Sequence, residues 1–254
     1  MTRTLLQTTD LTVRFGGHVA VDAVSCAFRA GELTAIVGPN GAGKTTYFNL
    51  ISGQIPASAG SVHLLDQDIG RLSPSERCRR GLGRAFQLTN LFPGLSVLEN
   101  VRLAIQAHRP VSGLLLSMAS SHSALTDEAM AVLERVRLDT VRDQPVSELS
   151  HGNQRKLEVA MLIALDPKVY MFDEPTAGMS ADEAPVVLDL IAELKTDTDR
   201  TILLVEHKMD VIRTLADRII VLHNGELVAD GDPTEVIASD VVQEAYMGKE
   251  LTDV

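Results

Sequence analysis

Between the apolar run Leu33-Thr34-Ala35-Ile36-Val37 and the helically spaced Thr46-Tyr47-Phe48-Asn49-Leu50-Ile51 stands Gly38-Pro39-Asn40-Gly41-Ala42-Gly43-Lys44-Thr45. This GxxxxGK[ST] pattern constrains the fold more than any other stretch. Its glycines let the backbone curl so that successive N–H groups point inward, toward phosphate oxygens. Lys44 adds a point charge for β- and γ-phosphates, and the following helix aims its partial positive end at the same place. Thr45 offers a hydroxyl to Mg²⁺, an ion that usually borrows phosphate oxygens rather than a full protein cage. Strand, glycine loop and helix in that order are the context such a loop requires.

Charge explains why the loop matters. The chain has 254 residues, with 23 Lys and Arg against 34 Asp and Glu, for a net charge of −11. Nucleic acid is thereby disfavoured as a partner, because such binding depends on cations that neutralise phosphates. An anionic ligand must meet a local, arranged positive field instead. Cys26 and Cys78 stand far apart and form no ligand pattern, so both read as inert thiols. No apolar run approaches the ~20 residues of a membrane span, and MTRTLLQTTD lacks a signal-peptide core. A soluble, cytosolic chain is expected.

Periodicity orders the remainder. Leu11, Val13 and Phe15 alternate as a strand, Val19–Phe28 alternates less cleanly, and 61–65 reads as another strand. Ser96 followed by Glu99 predicts a capping box for a helix through Ile105. Residues 108–124 read as loop or weak helix, and Thr126 reads as the N-cap of a helix carrying Met130, Leu133 and Val136. A helix after Leu149, a strand at 168–172, a helix at 182–195 and a strand at 201–205 follow. Helix 209–216, strand 218–222, turn Asn224-Gly225 and a last helix near 233–247 complete the pattern. Strands alternating with helices predict an α/β fold with a mostly parallel sheet.

In such sheets ligands sit at the carboxyl ends of the strands. Asp173 and Glu174 end one buried strand, placing Asp173 for an outer contact to Mg²⁺ and Glu174 to polarise an attacking water. His207 ends the next, where a neutral imidazole can donate to a γ-phosphate oxygen. Gln87 stands where the chain leaves the core, and its amide there can reach Mg²⁺ and the water.

Leu149-Ser150-His151-Gly152-Asn153-Gln154 opens a helix and lies between Gln87 and the Asp173-Glu174 pair. It resembles the LSGGQ signature of ATP-binding cassette (ABC) proteins, in the family's own order. The resemblance covers essentially the whole chain. It implies a P-loop NTPase with a RecA-like core, an antiparallel β subdomain and an inserted α-helical subdomain. The chain then parses as one domain, with core and β subdomain in 1–88 and 161–254 and the helical subdomain in 89–160. It also implies a head-to-tail dimer with ATP and Mg²⁺ at the interface. Residues 38–46, including Pro39, Asn40, Gly41, Ala42 and Thr46, hold the nucleotide, and Phe15 stacks on adenine. Ser150, His151, Gly152, Asn153 and Gln154 engage the partner subunit's nucleotide. Three departures stand out: His151 replaces the first signature glycine, Asn153 fills the glycine-type slot next to the glutamine, and Ala177-Gly178-Met179-Ser180 lacks the aspartate usual after DEPT.

Within the family, GLGRAFQLTNLFPGLSVLENV, DEPTAGMS, VEHKMD and AYMGKE are similar to the hydrophobic amino acid uptake ATPases. The resemblance implies an energy-coupling ATPase of a branched-chain amino acid importer at the cytoplasmic face of the membrane. Its implied partners are a second ATPase subunit, integral membrane permeases and, indirectly, an extracytoplasmic solute-binding protein. LSHG is similar to the urea-type member, so a urea or short-amide importer is an alternative, as is a catalytically weak half of a heterodimer.

Overall fold

β1 (Thr4–Phe15) and β2 (His18–Arg29) form a long antiparallel ribbon. The computed structural model describes residues 3–85, 91–108, 118–240 and 242. β3 (Leu33–Val37) enters the phosphate loop, and α1 (Lys44–Ser52) leaves it. β4 (Ala59–Leu64) and β5 (Gln67–Asp68) extend the ribbon into a sheet ordered β2-β1-β4-β5. α2 (Pro74–Arg79) follows, and β6 (Leu82–Arg84) carries the chain onward. Next come α3 (Val97–His108), α4 (Met118–Arg135) and α5 (His151–Ala164). The chain ends in β7 (Val169–Asp173), α6 (Ala184–Lys195), β8 (Thr201–Val205), α7 (Met209–Leu215), β9 (Arg218–His223), β10 (Glu226–Gly231) and α8 (Pro233–Ile237).

Two compact units divide the chain. The first holds Met1–Leu82, Lys168–Glu174 and Lys195–Val254; the second holds Gly83–Pro167 and Pro175–Leu194. In the first unit the strands of the central sheet run β10-β9-β3-β8-β7. β3 pairs parallel with both β8 and β9, and β7 pairs parallel with β8. Every residue of β3 and β8 is buried, as their lack of polar alternation predicts. Phe28, Tyr47, Phe48, Ile36 and Leu203 fill the core between this sheet and the ribbon. Each such side chain contributes about 1.5–3 kcal/mol on burial. Cys26 and Cys78 are free thiols, buried and half-buried, in line with the inert reading.

In the second unit α3, α4 and α5 pack on one another through Val101, Ile105, Leu133 and Leu157. Ser96 does cap α3, accepting from the Glu99 amide at 3.2 Å. The Glu99 carboxylate also pairs with Arg102 at 2.6 Å. Thr126 is not an N-cap: α4 begins at Met118 and runs through it. Neighbouring helices bury Leu125 and Ala129, and tertiary packing overrides the local capping signal.

Four elements were not anticipated. α2 has a full Ser73–Glu76 capping box with Pro74 behind it, a signal plainly readable in the sequence. β5 and β6 are too short to show periodicity. β10 completes a hairpin on the Asn224-Gly225 turn, whose residues have φ of 50° and 84°. Asn-Gly between apolar runs is the usual mark of such a hairpin. α8 stops at Ile237 with Ala238 as its C-cap, Asp240 and Val242 are again helical, and the rest of the expected stretch to 247 lies outside the described residues.

Candidate functional site

Gly38 starts the loop at φ 151°, so close beneath β9 that a Cβ there would lie 2.1 Å from the Leu222 carbonyl oxygen. Gly43 ends it at φ 99°, with a Cβ position 2.5 Å from the Ala20 carbonyl oxygen. Only glycine fits either place, which is why the loop can fold tightly against two strands. The hairpin turn braces it from below: the Gly225 amide donates to the Ala42 carbonyl at 3.0 Å, and the Gly225 carbonyl accepts from Asp22 at 2.8 Å.

Lys44 folds back into this loop. Its Nζ donates to the carbonyls of Gly38 at 2.6 Å and Pro39 at 3.0 Å. Burial pulls its pKa below the usual lysine value, opposed by the carboxylates of Glu174 and Asp173. α1 begins at Lys44 with no acidic residue in its first turn and no side-chain cap, leaving its positive end uncompensated. The loop and helix end bound a cleft of about 410 Å³ lined by Phe15, His18, Asn40–Thr46, Glu174 and His207. Phe15 presents its ring there at 53% exposure, on the last residue of β1.

β7 and β8 bring the carboxylates and the histidine together. Asp173 still pairs with Val205, and the chain then turns at Glu174, whose φ of 49° is left-handed. That conformation costs a non-glycine residue on the order of 1 kcal/mol, and such residues cluster at functional sites. The Glu174 amide donates to the Val205 carbonyl at 2.9 Å, and its Oε1 lies 2.6 Å from His207 Nε2. Glu206, buried at 4% exposure, accepts from the amides of His207 at 2.8 Å and Lys208 at 3.3 Å. It thereby shapes the turn that presents the imidazole. Sequence reading passed over Glu206 because an acid next to a histidine reveals nothing of which way it faces.

A triphosphate fits this arrangement chemically: free amides and a lysine at one end, a flat ring at the other, and a carboxylate–imidazole pair at the rim. Thr45 is exposed in the cleft lining and Asp173 ends β7, so Mg²⁺ would take its remaining ligands from phosphate oxygens. Gln87 lies outside the described residues.

In the second unit Ser150 is the N-cap of α5, its Oγ accepting from the Asn153 amide at 3.2 Å. Its hydroxyl proton stays available to an acceptor. Gln154 Nε2 donates to the Leu149 carbonyl at 3.2 Å, which ties the turn to the helix. His151 is exposed and has no positive φ, so a side chain is tolerated where the resemblance has glycine. Gly152 differs. It is buried, and a Cβ there would meet the Glu183 carboxylate at 2.1 Å.

A glycine cradle on a helix end, a parallel sheet delivering Glu174 and His207 to it, and an added antiparallel sheet define a nucleotide-binding cassette. The chain belongs to the ABC transporter family, whose model matches residues 21–177. It is 37% identical over 256 residues to the high-affinity branched-chain amino acid transport ATP-binding protein LivG of Salmonella typhimurium, covering 98% of this chain and all of the relative. BraF of Pseudomonas aeruginosa, described in the same words, is 34% identical with the same coverage. Among solved structures, a nucleotide-free ATP-binding cassette from an ABC transporter superposes with a TM-score of 0.81 at 29% identity, covering 97% of this chain and all of the other. The ADP conformation of another such cassette gives 0.81 at 30% identity, covering 98% and 100%. Among the described residues no helix is long and apolar enough to cross a membrane.

Proposed function

We propose that the chain is the ATP-hydrolysing, energy-coupling subunit of an importer for branched-chain amino acids, working as a dimer on the cytoplasmic face of the membrane with permease subunits. The observation that carries the catalytic half is the 2.6 Å contact between Glu174 and His207 at the rim of the Lys44 cleft. Support for the solute is the relatedness to LivG and BraF over nearly the whole chain.

Each residue then has a task. Amides of Gly41–Thr46 and the Lys44 ammonium hold the β- and γ-phosphates, and Phe15 stacks on adenine. Thr45 would hold Mg²⁺, with Asp173 and Gln87 as further contacts, and the group would supply charge neutralisation at the phosphate oxygens. Glu174 takes the proton of the water that attacks the γ-phosphorus, while His207 holds Glu174 through its single ring N–H. Ser150, Gly152 and the positive end of α5 engage the γ-phosphate held by the partner subunit, so that ATP joins the two. His151, Asn153 and Gln154 shape that turn.

The test is reconstitution with the membrane proteins that co-purify with the chain, followed by ATP hydrolysis and uptake of labelled solutes. Leucine, isoleucine and valine should be imported in an ATP-dependent manner. Uptake of urea or acetamide in their place would overturn the assignment of solute.

A further inference from the structure

Ser180, in the stretch that follows Glu174-Pro175-Thr176, meets a carboxylate from three residues further on. Glu183 Oε2 accepts from the Ser180 hydroxyl at 3.1 Å and from its amide at 3.4 Å. The same oxygen occupies the space where a Gly152 side chain would be, 2.1 Å from the Cβ position, with Oε1 at 2.2 Å. One carboxylate thus joins two segments distant in sequence: the turn that opens α5 and the stretch that follows Glu174-Pro175-Thr176. A Ser-x-x-Glu arrangement would account for the local hydrogen bonds as an ordinary helix start. It would not account for a glycine whose Cβ position has the atoms of that carboxylate as its three nearest neighbours.

We infer that Glu183 is a positioning residue, holding the Ser180 segment against Gly152 so that the phosphate-engaging turn of α5 and the segment after the catalytic base keep one register. This rests on the reading of residues 150–154 as the surface that engages the partner's nucleotide. Its action is by shape and hydrogen bonding rather than by charge. Glutamine has the same length and an acceptor oxygen for Ser180, so it can do the same work. Alanine cannot.

The measurement is ATP hydrolysis by the full chain in its assembled transporter, for Glu183→Gln, Glu183→Ala, Gly152→Ala, Gly152→Ala/Glu183→Ala and Ser150→Ala. Binding of a fluorescent ATP analogue to the isolated chain runs in parallel. Glu183→Gln should keep kcat within about twofold, and Glu183→Ala should lose on the order of tenfold in kcat, as small misplacements do. KM and analogue binding should stay unchanged, since the Lys44 cleft is untouched. Gly152→Ala should also be impaired alone, yet add nothing to Glu183→Ala, because the methyl group then enters vacated space.

Equal loss in Glu183→Gln and Glu183→Ala, weakened analogue binding in Glu183→Ala, or multiplicative losses in the double variant would overturn the inference. Unchanged turnover in Glu183→Ala beside an impaired Ser150→Ala would remove the Glu183 role while leaving the signature reading intact. Unchanged turnover in Ser150→Ala would remove that reading, and this inference with it.

Discussion

His207 Nε2 lies 2.6 Å from Glu174 Oε1, joining the ends of two strands that are neighbours in a parallel sheet. A carboxylate oxygen accepts, so the donor in this contact is the ring N–H. The contact orients the carboxylate without removing its second oxygen, which remains free to accept a proton from water.

Replacing Glu174 by Gln should therefore leave ATP binding intact and slow hydrolysis by on the order of 10²–10⁴, the usual contribution of a general base. His207→Ala should also slow hydrolysis while leaving nucleotide affinity within a few-fold, since Lys44 and the loop amides are untouched. Single-turnover hydrolysis with labelled ATP, beside equilibrium binding, separates the two effects. Turnover at the original rate in Glu174→Gln would assign the base elsewhere.

Phe15 is half-exposed at the end of β1 and lines the cleft. Its replacement by Ala should weaken ATP binding by about 5- to 100-fold, the range for losing one base–aromatic stack, with little change in stability. Phe15→Tyr should bind as the original chain does. Calorimetric titration with ATP decides the matter, and undiminished affinity in Phe15→Ala would exclude the stack.

The loop glycines should not be equivalent. Gly38→Ala forces a methyl group into the Leu222 carbonyl and should cost at least about 2–3 kcal/mol. Gly41, at φ 82° with open space around it, should cost only on the order of 1 kcal/mol as Ala. Urea unfolding of the two variants measures the difference. Equal costs would mean that the Gly38 backbone can move away from β9.

Burial pushes the Cys26 thiol up to about 11, from the ordinary 9.0. An unfolded chain then releases this proton at a pH where the folded one retains it. Stability should be unaffected by this group below pH 9 and should fall by up to about 1.4 kcal/mol per pH unit between 9 and 11. Cys26→Ala should flatten that part of the pH dependence, and comparison of unfolding midpoints at pH 8 and 10 tests it. A slope identical in both chains would show that other groups govern alkaline unfolding.

Much of the site is readable along the chain because its parts are local. The Gly38–Thr45 spacing, the apolar strand before it and the Asp173-Glu174 and His207 strand ends each occupy a few consecutive residues, and chain order places them on one sheet edge. The helix that opens within residues 149–154 is likewise a local matter, and the structure starts α5 there, with Ser150 as its N-cap. Thr126 shows the limit: followed by Asp127 and Glu128 it reads as an N-cap, but the surrounding helices extend α4 straight through it.

Sequence by itself determined the phosphate loop, the order of the longer strands and helices around it and the family, because backbone curvature, periodicity and charge act between near neighbours. Tertiary structure alone decided where each carboxylate stands. Asp173 and Glu174 are adjacent and chemically alike, yet strand pairing keeps one in the sheet and a left-handed turn sends the other to His207. Glu206 beneath the histidine, Gly225 beneath the loop and Glu183 on Gly152 acquire meaning only there. Each acts through a contact whose partner lies on another segment or in a particular turn, and only the folded packing makes that choice.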